Sequence, residues 1–153
     1  MNRKPTRVAI LVDEGLALFE LGCAVELFAL PRPEIPNWYQ TDVVSFSAHP
    51  LSATGGLLVQ PKVVSTLSAY DMVIIPSWPV NRPVPEAISR ELKLFFSAGG
   101  KILSFCSGAF VLGEVGLLNG RRSITHWRYA EEVKQRFPAA EYVEDVLYLY
   151  EGN

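Results

Sequence analysis

The stretch Ile102-Leu103-Ser104-Phe105-Cys106-Ser107-Gly108-Ala109 decides the fold class of this chain. An apolar, strand-forming run leads into Cys106, and small residues follow it before a helical pattern begins. A sharp turn from a strand into a helix requires small residues so that the two elements can pass closely, which is the geometry of a nucleophile elbow. The stretch therefore predicts a parallel α/β sheet with Cys106 at the end of one strand.

The helix that begins after Cys106 suggests what this cysteine does. The N–H groups at Ser107 and Gly108, together with the positive end of the helix dipole, would lower the pKa of the thiol and favour the thiolate. The same groups could instead bind an anionic part of a ligand. The alternative for Cys106 is a buried core cysteine, the commonest fate of a free thiol, and Cys23 in an apolar helix is given that interpretation.

Outward from this turn, short strands alternate with helices along the chain. Strands are predicted over residues 7–12, 42–46, 72–75, 101–105, 123–125 and 144–150, with a small hairpin turning at Thr54-Gly55-Gly56. Helices are predicted over residues 17–29, 85–98, 107–118 and 128–137. The alternation predicts a doubly wound α/β fold whose mostly parallel sheet carries helices on both faces. Sheets of this kind bind ligands at the carboxyl ends of their strands.

Several polar or aromatic side chains fall at that edge of the predicted sheet. Ser77 and Trp78 follow the strand at 72–75, and His126 follows the strand at 123–125. Glu20 lies near the start of the first helix, within possible reach of the cysteine. His126 could act as a base or ligand contact, or could be a packed surface residue. Glu20 could share a proton with the thiol, although the pattern alone favours compensation of the helix dipole as its role.

Length and composition exclude several classes of protein. The chain has 153 residues, 49% of them hydrophobic, which suits one globular domain. A net charge of -2 makes unaided binding of nucleic acid a poor fit, since phosphate contacts need a basic face. No apolar run approaches the roughly 20 residues of a membrane span. No membrane partner is therefore expected.

The cysteines and histidines are too few for a framework of disulfides or metal ligands. Two cysteines cannot make a disulfide framework, so they indicate a reducing compartment, the cytoplasm. With two histidines they are too widely spaced for a recognisable zinc pattern. We expect no metal and no cofactor.

Several longer segments carry a resemblance to a known family. The segments are residues 8–12, 15–21, 26–28, 53–56, 106–112, 116–122 and 125–130. Together they resemble the ThiJ/PfpI family of the class I glutamine amidotransferase-like superfamily, and most closely the N-terminal sensor domain of AraC-family transcriptional regulators.

The resemblance implies a flavodoxin-like α/β sandwich that forms homodimers and holds a small metabolite near the cysteine. In the enzymes of the superfamily Cys106 would be the nucleophile, and Glu20 falls where isocyanide hydratases carry an acidic residue. Two departures favour binding over catalysis. Ser107 stands where peptidase-like members have histidine, and Ser77-Trp78 replaces the Gly-Gly that lets backbone N–H groups approach an oxyanion in many members.

The resemblance also implies that residues 1–153 lack the last strand and helix of the domain. Regulators of this type continue into a helix-turn-helix domain, so DNA would be bound only through a part absent from this chain. The leading hypothesis is a ligand-sensing and dimerisation domain that binds a metabolite near Cys106, Ser107, Gly108, Ser77, Trp78, His126 and Glu20. The alternatives are a cysteine-dependent hydratase, glyoxalase or amidase using Cys106 and Glu20, and a thiol sensor that forms a sulfenic acid.

Overall fold

A computed structural model of the chain describes residues 4–153. In chain order the strands are β1 (Arg7–Leu11), β2 (Gln40–Ser45), β3 (Leu51–Ser52), β4 (Leu58–Val59), β5 (Lys62–Val63), β6 (Met72–Ile75), β7 (Lys101–Ser104), β8 (Arg122–Ser123) and β9 (Glu141–Tyr142). The helices are α1 (Leu18–Phe28), α2 (Glu86–Ser97), α3 (Ala109–Glu114) and α4 (Ala130–Arg136).

Five strands form the central parallel sheet in the order β5-β2-β1-β6-β7. The apolar run Val8-Ala9-Ile10-Leu11 makes β1 the buried middle of this sheet, as a strand covered on both faces requires. β3 and β4 form the predicted small hairpin around Thr54–Gly56. This architecture confirms the predicted α/β class.

Helices cover both faces of the sheet, as predicted. On one face, Leu21 and Ala24 of α1 pack against the side chains of Val8 and Ile10. On the other face, α2 and α3 pack against the side chains that point the opposite way from β1 and β6. The buried members of that second cluster include Ala9, Leu11, Val73, Ile75, Ile88, Leu92, Phe95 and Val111.

Gly108, directly before α3, lies very close to the backbone at the end of β6. A Cβ placed on Gly108 would lie 2.3 Å from the carbonyl oxygen of Ile75 at the end of β6. Only a residue without a side chain lets the start of α3 pass the strand at this distance. The packing therefore fixes where the turn before α3 sits relative to the sheet.

The prediction of a strand over residues 144–150 is wrong, and the central sheet ends at β7. The last strand is β9, and residues 144–150 lie outside any strand. β9 pairs with β8 in a separate two-stranded sheet, so residues 123–125 do not extend the central sheet either. Alternation of side chains is a local property, whereas a strand also requires hydrogen bonds to a neighbouring strand. Among the described residues, no strand pairs with this segment. β7 is consequently an edge strand.

Candidate ligand site at the cysteine turn

Cys106 sits in the turn between β7 and α3 in a backbone conformation that is uncommon for its residue type. Its φ is 47°, in the left-handed region, and residues Cys106–Gly108 form a single 3-10 turn. The predicted helix over 107–118 is thus reduced to this turn and the six-residue α3. Residues held in such a conformation concentrate at functional sites. The Thr125 hydroxyl supports the turn by donating to the Cys106 carbonyl at 2.9 Å.

The pKa of the Cys106 thiol is raised above its ordinary value. Burial is the largest cause, and the neighbouring Glu20 adds to it through a hydrogen bond and through its negative charge. The Ser107 N–H and hydroxyl act in the opposite direction but do not prevail. The predicted lowering of this pKa is therefore wrong. A 3-10 turn and a short helix supply less positive potential than a long helix, while the carboxylate adds an opposing charge.

Alkylation of Cys106 by iodoacetamide tests this electrostatic balance. We expect its rate to rise with pH around a midpoint above that of a free thiol, since the thiolate is the reactive form. Glu20→Gln removes the negative charge, so the midpoint moves to lower pH and alkylation becomes faster at neutral pH. Glu26→Gln on the same helix is the matched control and leaves the midpoint in place. Alkylation of the Cys106→Ser variant measures the background reaction of Cys23. An unchanged midpoint in Glu20→Gln would show that the Glu20 carboxylate does not influence the Cys106 thiol.

Four of the predicted ligand contacts form a buried brace behind the turn: Ser77, Trp78, Ser107 and Gly108. The Ser77 hydroxyl accepts the N–H of Ala17 at 3.3 Å, which ties the end of β6 to the start of α1. The Trp78 N–H donates to the Ser107 hydroxyl at 3.1 Å, which ties the same strand end to the turn. These bonds position Cys106, and none of the four residues lines the groove described next.

The Trp78 side chain is part of the core. It is 2% exposed, and its indole N–H donates to the Arg82 carbonyl at 2.8 Å. The Arg82 guanidinium pairs with the buried Asp13 carboxylate at 3.1 Å and lies 5.9 Å from the centroid of the indole. The large side chain thus fills the interior beside the strand end.

An apolar groove of about 990 Å³ runs beside β7 from Lys101 to Cys106. At its Cys106 end it is bordered by Thr125, His126 and Trp127. The structure thus brings Cys106 and His126 to one cavity, whereas Glu20 approaches the thiol without lining the groove. Further walls come from three parts of the chain: β7 itself, the end of α3 with the residues after it, and the segment 142–151.

Histidine 126 stands at the mouth of this groove. Its Nδ1 accepts the N–H of Arg128 at 3.2 Å, so the neutral ring carries its proton on Nε2 and can offer it as a donor. The imidazole centroid lies 5.3 Å from that of Trp127, whose side chain is 80% exposed. The mouth therefore presents the His126 Nε2–H donor beside the solvent-facing indole of Trp127.

Sequence reasoning missed two hydroxyl residues of this region. Thr125 supports the cysteine turn, and Ser123 lines the groove with a buried hydroxyl that has no hydrogen-bond partner among the described residues. Both stand at or after the end of β8, which was the only sequence signal that could have marked them. Serine and threonine are too common at strand ends for residue type to identify them.

Residues 4–153 offer no group of three His, Cys, Asp or Glu side chains that could hold a metal ion. Within the same part of the chain, none of the helices combines the length and apolar character needed to cross a membrane.

Comparison with known proteins assigns the family. Residues 6–153 match the DJ-1/PfpI family over nearly the whole chain. The chain belongs to the DJ-1/PfpI family. The resemblance to ThiJ/PfpI proteins seen in the sequence is therefore confirmed.

The relatives of this DJ-1/PfpI domain include uncharacterised, regulatory and enzymatic proteins. An uncharacterised Streptomyces lividans protein from the cpoL 5′ region is 33% identical, with 91% of this chain and all of the relative covered. The HTH-type transcriptional regulator GbdR of Pseudomonas aeruginosa is 25% identical over 90% of this chain but 38% of its own length. Isonitrile hydratase of Pseudomonas putida is 30% identical over 52% of this chain and 36% of its own length. The chain therefore spans well under half of the regulator.

Solved structures confirm the fold of the domain. The structure of an AraC family transcriptional regulator from Pseudomonas putida superposes with a TM-score of 0.79 at 17% identity, covering 95% of this chain and 80% of that one. The flavodoxin-like α/β sandwich expected from the resemblance is therefore present.

Proposed function

We propose that this domain is the ligand-sensing part of an AraC-type transcriptional regulator and binds a small metabolite at the Cys106 end of the groove. The observation that carries the proposal is the groove itself, which ends on a half-buried cysteine whose pKa is raised. A protonated thiol is a weak nucleophile but a usable polar contact. Similarity to HTH-type regulators supports the regulatory context.

In the proposed regulator, ligand binding and DNA binding belong to different domains. This acidic chain would supply the ligand site and the contacts between copies, and DNA would be bound by a C-terminal helix-turn-helix domain outside residues 1–153. The last strand and helix of the sensor would also lie outside them. The ligand would act by binding one arrangement of the dimer more tightly than another. Such a regulator would work in the cytoplasm.

Thermal denaturation with a panel of amino acids, amines and short carboxylic acids tests the sensing role. A true ligand at a hundredfold excess over its Kd stabilises the folded state by about 2.7 kcal/mol, without forming a product. His126→Ala removes the donor at the groove mouth and is expected to weaken binding about tenfold, the value of one hydrogen bond. His49→Ala, at the exposed histidine outside the groove, is the matched control. If nothing in the panel stabilises the domain, or if His126→Ala binds as well as the parent chain, the proposal fails.

A second candidate is a cysteine-dependent hydratase, favoured by the contact of Glu20 with the Cys106 thiol. The sulfur would bond to an electrophilic carbon of the substrate while its proton passes through Glu20 to the substrate. Water would then add to that carbon and release the sulfur. Turnover of an isonitrile that Cys106→Ala abolishes would support this reaction, and equal activity in Cys106→Ala would exclude it.

A further inference from the structure

The loop between β1 and α1, residues 12–17, sets where Glu20 lies relative to the cysteine turn. Glu20 stands in the first turn of α1, and the N-cap residue of that helix is Ala17. An alanine has no side-chain oxygen that could bond the first N–H groups of a helix, so a side-chain cap does not determine where α1 begins. The contacts of the preceding loop therefore determine the position of the Glu20 carboxylate.

The small hairpin of β3 and β4 holds one side of this loop. The N–H groups of Gly15 and Leu16 both donate to the Ser52 carbonyl, at 3.1 and 3.0 Å. The Glu14 carboxylate accepts the Ser52 N–H at 2.9 Å. Because Ser52 is exposed, this side of the loop is held at the surface of the domain.

A buried carboxylate holds the other side of the loop. Asp13 is 8% exposed, and both of its carboxylate oxygens have partners. Oδ1 accepts the Glu14 N–H at 2.9 Å, and Oδ2 pairs with the Arg82 guanidinium at 3.1 Å. A buried carboxylate that loses its cation is left as an uncompensated charge. The ion pair therefore resists any movement that carries the loop away from Arg82.

Arg82 is itself anchored to the core. Its carbonyl accepts the Trp78 indole N–H, and its own N–H donates to the Pro79 carbonyl at 2.9 Å. Gly15 packs against this proline, since a Cβ placed on Gly15 would lie 2.8 Å from the Pro79 Cγ. The ion pair thus joins the loop before α1 to the strand end that braces the cysteine turn.

We propose that Asp13 and Arg82 are positioning residues that hold Glu20 in contact with the Cys106 thiol. Besides burial, the groups that set the pKa of this thiol are Glu20 and Ser107. The Asp13–Arg82 pair therefore acts on the thiol through the position of α1 and its Glu20. The contact requires no ligand, so this role goes beyond the sensing function. Failure of the metabolite panel would overturn sensing and leave the positioning role standing.

The pH dependence of Cys106 alkylation by iodoacetamide, measured on the 153-residue chain, tests this role. Asp13→Asn keeps the size of the side chain but removes the charge that holds Arg82, so Glu20 is expected to move away from the thiol. We expect the alkylation midpoint to move to lower pH, toward that of Glu20→Gln. In the Glu20→Gln background, Asp13→Asn is expected to give no further shift, because both changes remove the same contact.

Asp42→Asn is the matched control for the loss of an ion pair. The Asp42 carboxylate pairs with Lys62 at 2.8 Å, and β1 and β6 separate its strand, β2, from β7. Its alkylation midpoint is expected to equal that of the parent chain. The positioning role is overturned by an unchanged midpoint in folded Asp13→Asn, by an equal shift in Asp42→Asn, or by a shift that adds to that of Glu20→Gln.

Arg82→Gln tests the same ion pair from its other side and covers the case in which Asp13→Asn does not fold. The Arg82 side chain is 31% exposed, and a glutamine amide can still donate a hydrogen bond to Asp13, which limits the loss of stability. We expect the alkylation midpoint of Arg82→Gln to move to lower pH. Arg82→Lys keeps the positive charge and is expected to shift the midpoint less. Equal midpoints for these two variants would show that the ion pair does not position Glu20.

Discussion

Gly108→Ala is expected to destabilise the domain by about 3 kcal/mol, the upper range for overpacking a close contact. The new Cβ would lie 2.3 Å from the Ile75 carbonyl oxygen, a backbone atom at the end of a strand in the central sheet. Relief requires moving either the turn that holds Cys106 or the end of β6. Neither moves freely, because the Trp78 N–H and the Ser107 hydroxyl tie them together.

Urea denaturation followed by circular dichroism measures this loss as a lower midpoint. Gly22→Ala in α1 is the matched control, because a Cβ there meets no atom within 4 Å. In a helix this change is expected to stabilise by about 0.5–1 kcal/mol. Equal midpoints for the parent chain and Gly108→Ala would show that the space between Gly108 and the end of β6 can accommodate a Cβ atom.

Trp78→Ala is expected to cost about 3–5 kcal/mol, the range for removing a buried large aromatic side chain. The indole is 2% exposed, and its removal leaves a cavity and takes the N–H donor from the Arg82 carbonyl. The bond from the Trp78 backbone to Ser107 does not depend on the side chain. The loss should therefore appear as lower global stability, with the cysteine turn intact in the molecules that remain folded.

Trp127→Ala provides the control for the second experiment. Its side chain is 80% exposed, so the expected change in unfolding free energy is within about 0.5 kcal/mol. Urea denaturation of the two variants compares their unfolding free energies and so distinguishes a core tryptophan from a surface one. A Trp78→Ala protein as stable as Trp127→Ala would contradict the core position of the indole.

The sequence was sufficient to place β1, β2, β6 and β7 of the central sheet, because these longer strands carry continuous apolar or alternating runs. A short continuous apolar run such as Val8–Leu11 is typical of a strand that is buried on both faces. The helices α1 and α2 lie within a residue or two of their predicted limits. β5 was missed because two exposed residues, Lys62 and Val63, carry no periodic signal. Residues 144–150 were assigned to a strand on alternation, a local property, whereas a strand is completed by a partner elsewhere.

The turn that holds Cys106 was predictable from the sequence, whereas its chemical environment was predictable only in part. The small residues around Cys106 predict its turn, because sterics at such a turn act locally. Whether Trp78 faces a pocket or the core depends on the direction of its side chain, which residue type does not encode. The sign of the Cys106 pKa shift depends on burial and on Glu20, and both are established only when distant elements pack together.

The buried brace of Ser77, Trp78, Ser107 and Gly108 has a consequence for changes in the groove wall. The parts that hold the cysteine turn come from the interior, whereas much of the groove wall comes from the sheet edge and from peripheral segments such as 142–151. Changes in peripheral segments cost little stability, because few core contacts depend on them. Substitutions in these peripheral segments would therefore reshape the groove wall while the interior brace keeps the cysteine turn in place.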